Sequence, residues 1–170
     1  MKIKNPKTAF NLYEWLESFL MSLSLVLLIF TFAVKTFAVQ GPSMLPTLKT
    51  GDRVFAVDFL RSPEQGDIVI IDENNGSGEP LIKRVVALGG QTVYIEPESG
   101  RVYVDGVEFA VPAEGDADSL RGDFSYPVTV PEGYIFVMGD NRAESLDSRY
   151  SVLGFIDERC VVGREVTVLG

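Results

Sequence analysis

Between Glu17 and Lys35 the chain runs for 17 residues without a charge, Ser18 to Val34 (SFLMSLSLVLLIFTFAV), and continues past Lys35 as TFAVQ. As a helix at ~1.5 Å per residue this run spans about 25 Å, close to the ~30 Å hydrocarbon core of a bilayer. The Lys35 ammonium can snorkel, which carries the expected span to residues 18–39. A buried core helix would show a polar face, yet the polar residues of the run are Ser18, Ser22, Ser24 and Thr31 alone. A cleavable secretory signal has a small-x-small site available in Thr36 and Ala38. Its apolar region is normally only ~7–15 residues, however, and Lys35 intervenes before the site. An uncleaved anchor fits both lengths. Lys2, Lys4 and Lys7 then keep residues 1–17 in the cytoplasm by the positive-inside rule and send residues 40–170 across the membrane.

Charge divides the chain at the same place. Four lysines against two glutamates give residues 1–40 a net charge of +2, so −11 of the total of −9 falls on residues 41–170. An acidic body disfavours nucleic acid as a partner, because phosphate binding depends on Lys and Arg displacing counterions. The 170 residues contain no histidine, which excludes Ser-His-Asp and Cys-His catalysis and every imidazole metal site. One cysteine, Cys160, permits no internal disulfide and no thiolate cluster.

Beyond residue 41 the chain reads as strands: VFAV (54–57), DIVIID (67–72), LIKRVVAL (81–88), TVYIE (92–96), RVYVDGVEFA (101–110), YPVTV (126–130), YIFVMG (134–139) and CVVGREVTVL (160–169). They are short, β-branched and aromatic, and turn residues separate them. Asp105-Gly106 is a two-residue hairpin signal, and PESG (97–100) joins the strands before it. The expected fold is mostly β, a barrel or sandwich of antiparallel strands behind one N-terminal transmembrane helix, with a β-hairpin insert around residues 90–130.

Chemistry must then come from serine, lysine, carboxylates or backbone. Residues 41–170 hold two lysines, Lys49 in a turn sequence and Lys83 in the strand LIKRVVA. Alternation puts Lys83 on a face with Leu81, Val85 and Ala87, and Arg84 on the other with Ile82 and Val86. Desolvation there lowers a lysine pKa, as a lysine general base requires; an edge-strand lysine with its head in water satisfies the same pattern. Ser43 lies in GPSMLPTL (41–48), where flanking prolines restrict the backbone as they would for a rigidly held nucleophile. A proline-rich exit from a membrane helix reads the same way. In MGDNRAESLDSRY (138–150), Asp140, Asp147, Arg142 and Arg149 are placed to form ion pairs that pin the loop, and Ser145 to orient a lysine amine. Metal and aspartic-dyad chemistry fit poorly beside those arginines.

Taken together, GPSMLPTL, GDIVIID, IKRVVALGG and GDNRAESLDSRYSVLG, in this order behind an apolar segment, resemble the boxes of the bacterial type I signal peptidases. The resemblance covers the chain from residue 18 onward. It implies a β-rich serine–lysine endopeptidase without cofactor or metal, acting on signal-peptide-bearing preproteins at a lipid bilayer. By motif position Ser43 resembles the nucleophile and Lys83 the general base. Ser145 resembles the serine that hydrogen-bonds the lysine, and Asp147 and Arg149 the ion pair that supports the loop. Where some members carry an oxyanion-binding serine, two residues before the nucleophile, this chain has Gly41, so backbone N–H groups would have to bind the oxyanion. Met44, Leu45 and Phe55 are expected to be exposed near the site and to touch lipid. Two rivals remain, a self-cleaving serine–lysine protease of the repressor type and a membrane-anchored β-domain without catalysis.

Overall fold

The computed structural model describes residues 6–57, 62–110 and 122–169. The chain forms two compact units, residues 1–35 and 36–170.

The first unit is helix α1, Pro6–Ala33. Proline suits the first helical position, where its missing N–H would have no partner, and no glycine or further proline interrupts the run before Gly41. The window Leu12–Ile29 has a mean hydropathy of 1.6, and none of it is buried within the protein. Two of the helix hydroxyls bond to its own backbone: Ser22 Oγ donates to the Phe19 carbonyl at 2.9 Å and Thr31 Oγ1 to that of Leu27 at 2.8 Å. The buried core helix considered from the sequence therefore does not describe this segment. The helix also stops short of residue 39. Val34–Ala38 is a strand, β1, in which Phe37 alternates with exposed Thr36 and Ala38.

The second unit is built of β2 (Arg53–Val57), β3 (Ile68–Ile71), β4 (Leu81–Leu88), β5 (Thr92–Ile95), β6 (Val102–Val104), β7 (Val107–Phe109), β8 (Val128–Thr129), β9 (Tyr134–Met138), β10 (Ile156–Asp157) and β11 (Val161–Leu169). A seven-stranded sheet has the order β1-β2-β11-β3-β4-β9-β10, and a four-stranded sheet the order β7-β6-β5-β8. From β2 onward the pairs are antiparallel. The mostly β expectation holds, as two open sheets and not as a closed barrel among the described residues. β1 and β10, absent from the sequence reading, are the two edges of the larger sheet.

Period-two alternation fills three apolar clusters. Val69 and Ile71 of β3 join Ile135 and Val137 of β9 in one, while Ile68 and Ile70 face another that contains Val39, Met44, Leu48 and Val54. A third packs the small sheet on the large one through Val93, Ile95, Val102 and Val104 against Val86, Ala87, Phe136 and Met138. The register of β4 on β9 shifts between Val85 and Ala87, so Val86 and Ala87 enter the same cluster. Simple alternation had set Ala87 beside Lys83; the bulge moves it away. At the hairpin, Asp105 (φ +50°) and Gly106 (φ +79°) both take the left-handed conformation that a two-residue turn with the native twist demands.

Candidate active site

The segment Gly41–Leu48 is a compact turn. Leu45 N–H donates to the Pro42 carbonyl at 3.0 Å and Leu48 N–H to that of Met44 at 2.8 Å. Met44 and Leu48, four residues apart, project together into the apolar cluster below. Met44 is therefore buried, against the expectation that it faces lipid, and Leu45 and Phe55 are partly buried. With those anchors inward, Ser43 stays half-exposed on a cleft of about 390 Å³. Val39, Met44, Ile70 and Leu81 supply apolar wall to that cleft, and Lys83 lines it as well.

Lys83 sits inside β4, opposite Val69 of β3, and is 3% exposed. Desolvation lowers its amine from an ordinary 10.5 to about 8; the Asp147 carboxylate opposes that shift, Arg149 adds to it, and Asp140 opposes it more weakly. The lysine thus belongs to the buried alternative of the two the sequence allowed.

The loop after β9 closes the site. Asp147 and Arg149, both fully buried, pair through two bonds, Nε to Oδ1 at 2.8 Å and Nη2 to Oδ2 at 2.9 Å. Asp147 Oδ2 also accepts from the Gly139 N–H at 2.9 Å, and Arg149 Nη2 donates to the carbonyls of Arg142 and Ser145 at 2.9 and 3.3 Å. Ser145 is buried, and its hydroxyl, expected to orient the lysine amine, has no hydrogen-bond partner among the described residues. Gly139 is the contact between this loop and the serine turn: a Cβ there would lie 2.5 Å from both the Ser145 Cβ and the Ser43 carbonyl oxygen. The Asn141 N–H donates to that same Ser43 carbonyl at 3.0 Å. Gly41 is exposed, with φ +82° and open space where a side chain would start.

Asp140 does not pair with Arg142 or Arg149, as the sequence had grouped it. It takes a two-pronged bond from Arg84, at 2.8 and 2.7 Å, and a hydrogen bond from the Thr47 hydroxyl. The reason lies in the register: Arg84 of β4 stands opposite Met138 of β9, two residues before Asp140. Thr47, Arg84, Gly139 and Asn141 were thus missed as site residues. The signal available for Arg84 was its place beside Lys83.

A histidine-free cleft lined by a serine and a buried lysine invites comparison with known peptidases. The profile described as "Signal peptidase, peptidase S26" matches residues 12–169. Signal peptidase I of Bacillus licheniformis is 39% identical over 164 residues, covering 90% of this chain and 86% of its own. Signal peptidase I T of Bacillus subtilis (strain 168) is 39% identical over 174 residues, covering 94% and 86%. A crystal structure of a signal peptidase I from Enterococcus faecalis V583 aligns with 62% of this chain and 97% of its own at 28% identity, with a TM-score of 0.49. The protein is a hydrolase of the serine peptidase class. Within that class, the chain belongs to the signal peptidase family, peptidase S26.

Proposed function

We propose that this chain is a membrane-anchored endopeptidase that removes N-terminal signal peptides from exported preproteins, with Ser43 as nucleophile and Lys83 as general base. One observation carries the reading. Ser43 and Lys83 line the same cleft, and burial holds the lysine near 8, where a substantial amine fraction exists close to neutral pH.

Neutral Lys83 takes the Ser43 Oγ proton as Oγ bonds to the carbonyl carbon at the end of the signal peptide. The C–N bond then breaks and the leaving amine receives that proton from the Lys83 ammonium, leaving an ester on Ser43. A water gives a proton to neutral Lys83 and attacks the ester, which releases the signal peptide as an acid and restores the serine. Backbone N–H groups at Ser43 and a neighbour bind the oxyanion, since Gly41 offers no hydroxyl. The Ser145 hydroxyl, unbonded among the described residues, takes up the role of orienting the Lys83 amine once substrate is bound, and the Asp147–Arg149 pair holds the loop that carries it.

Residues 1–17 are cytoplasmic, the apolar run from residue 18 is the anchor, and residues 40–170 form the extracytoplasmic catalytic domain, with β5–β8 as its insert. An apolar helix with nothing buried over Leu12–Ile29, and with the Ser22 and Thr31 hydroxyls bonded to its own backbone, supports the anchor. Small side chains are required at the first and third positions before the cut, where the walls of Val39, Ile70 and Leu81 exclude larger ones by overlap.

The test is incubation of the detergent-solubilised chain with a preprotein, followed by N-terminal sequencing of the product. Cleavage after a small residue is expected, and a loss of at least ~10²-fold in folded Ser43→Ala and Lys83→Arg, because a guanidinium cannot accept the serine proton. Either variant within about tenfold of the parent overturns the dyad, and full indifference to Ser43→Ala favours a binding module.

A further inference from the structure

A second cavity, of about 100 Å³, lies where the β6–β7 hairpin meets the turn at Arg142. Ser99, Gly100, Phe109 and Arg142 line it, with Arg101 and Glu108 at its solvent rim. Arg142 is 1% exposed. Its Nε donates to the Gly139 carbonyl at 3.1 Å, while its Nη1 is buried without a hydrogen-bond partner among the described residues. Burial lowers its pKa only to about 10, so the guanidinium is charged at neutral pH.

Among the described residues no carboxylate forms an ion pair with it. Asp147, which acts on it through space, is held by two bonds to Arg149, and Asp140 by two bonds to Arg84. A charge taken out of water with one donor idle is costly unless a counter-charge reaches it. The space beside it suits one, since a water-sized particle needs only about 10–15 Å³ of accessible volume.

We propose that this cavity binds a small monovalent inorganic anion, of the size and charge of chloride, against Arg142. The rim sets the charge class. The Glu108 carboxylate and the Arg101 guanidinium, 3.9 Å apart and both more than half exposed, offset one another there, so the rim adds no net positive charge and the single Arg142 guanidinium matches one negative charge. The site stands apart from the Ser43 cleft and requires nothing of the peptidase reading.

The experiment is thermal unfolding of the full chain in detergent at constant ionic strength, with chloride replacing gluconate, a thirteen-heavy-atom anion too bulky for the cavity. The parent Tm should rise saturably, by about 3 °C at ten times the half-saturating concentration. Arg142→Gln should show no rise. Glu108→Gln, a change at an exposed position that keeps the fold, should lower the half-saturating chloride by about threefold, because it leaves the Arg101 charge at the rim without its offset. Crystals grown in bromide should show an anomalous peak at Arg142, a readout that holds even where Arg142→Gln does not fold. A parent Tm indifferent to chloride, an equal rise in Arg142→Gln, or an empty cavity in bromide overturns the proposal.

Discussion

The Asn141 N–H donates to the Ser43 carbonyl at 3.0 Å, so the backbone that carries the serine is bonded to the loop that carries Ser145. Only a residue without a side chain fits beneath that bond. Gly139→Ala places a Cβ 2.5 Å from the Ser43 carbonyl and against the Ser145 side chain, and one of the two must move. The expected cost is about 1–3 kcal/mol of stability and a loss of cleavage larger than that predicts, since both displaced groups belong to the site. Urea denaturation beside a cleavage assay separates the two effects, and full activity in Gly139→Ala refutes them.

Cleavage should depend on pH through Lys83. In the proposed mechanism the amine is the working form and is protonated below about 8, so kcat/KM should rise with pH to a plateau above that value. The same burial fixes a stability effect of known sign. The folded-state pKa is below the unfolded value of 10.5, so between about 8 and 10.5 the unfolded chain binds more protons and stability rises with pH. Below about 8 the full penalty is present. Lys83→Met, inactive, should therefore be more stable than the parent at pH 7, by up to about 3 kcal/mol, and the gain should shrink above pH 8. A pH-independent rate, or a less stable Lys83→Met, contradicts the account.

The Arg84–Asp140 pair ties β4 to the loop after β9, and Thr47 adds the serine turn to it. Asp140→Asn removes the charge from the two-pronged bond to the mostly buried Arg84 and should cost about 3 kcal/mol. Arg84→Lys should recover little of the parent stability, because an ammonium cannot reproduce the two-pronged geometry. Chemical denaturation of both variants measures this, and a change under 1 kcal/mol in Asp140→Asn speaks against the brace.

Gly41 offers room but not conformation. With φ at +82° and no atom near the site of a Cβ, Gly41→Ala should destabilise by about 1 kcal/mol through backbone strain alone, and Gly41→Asn by less, since asparagine tolerates that region better. Equal melting temperatures for the two variants count against this.

Topology is testable in whole cells. An impermeant outer-face label should miss cysteines placed at residues 2–10, and protease added to spheroplasts should meet residues 40–170. Labelling of the N-terminal cysteines reverses the orientation.

The strands were legible because β-branched runs broken by Gly and Asp have few other uses, and Asp105-Gly106 took up the turn its sequence demands. The end of the helix was less so. Val34–Ala38 continues the apolar run past the single charge of Lys35, and hydropathy cannot show that it pairs as a strand. Ser43, Lys83, Ser145, Asp147 and Arg149 were singled out from their boxes. The partner of Asp140 was not, because it depends on which strand lies beside β9 and in which register. Met44 was misplaced for a related reason: a turn residue shows its inward side only once Leu48 and Val54 define the core beneath it.

β11 lies between β2 and β3 in the large sheet. The serine turn follows β1 and leads into β2; the lysine strand pairs with β3. These two blocks of the sheet are joined by a strand that comes later in the chain than everything it connects. On the proposed roles, synthesis delivers the nucleophile and its base before the strand that joins their two blocks of the sheet. On that reading, competence to cut a substrate waits for β11 to insert between β2 and β3.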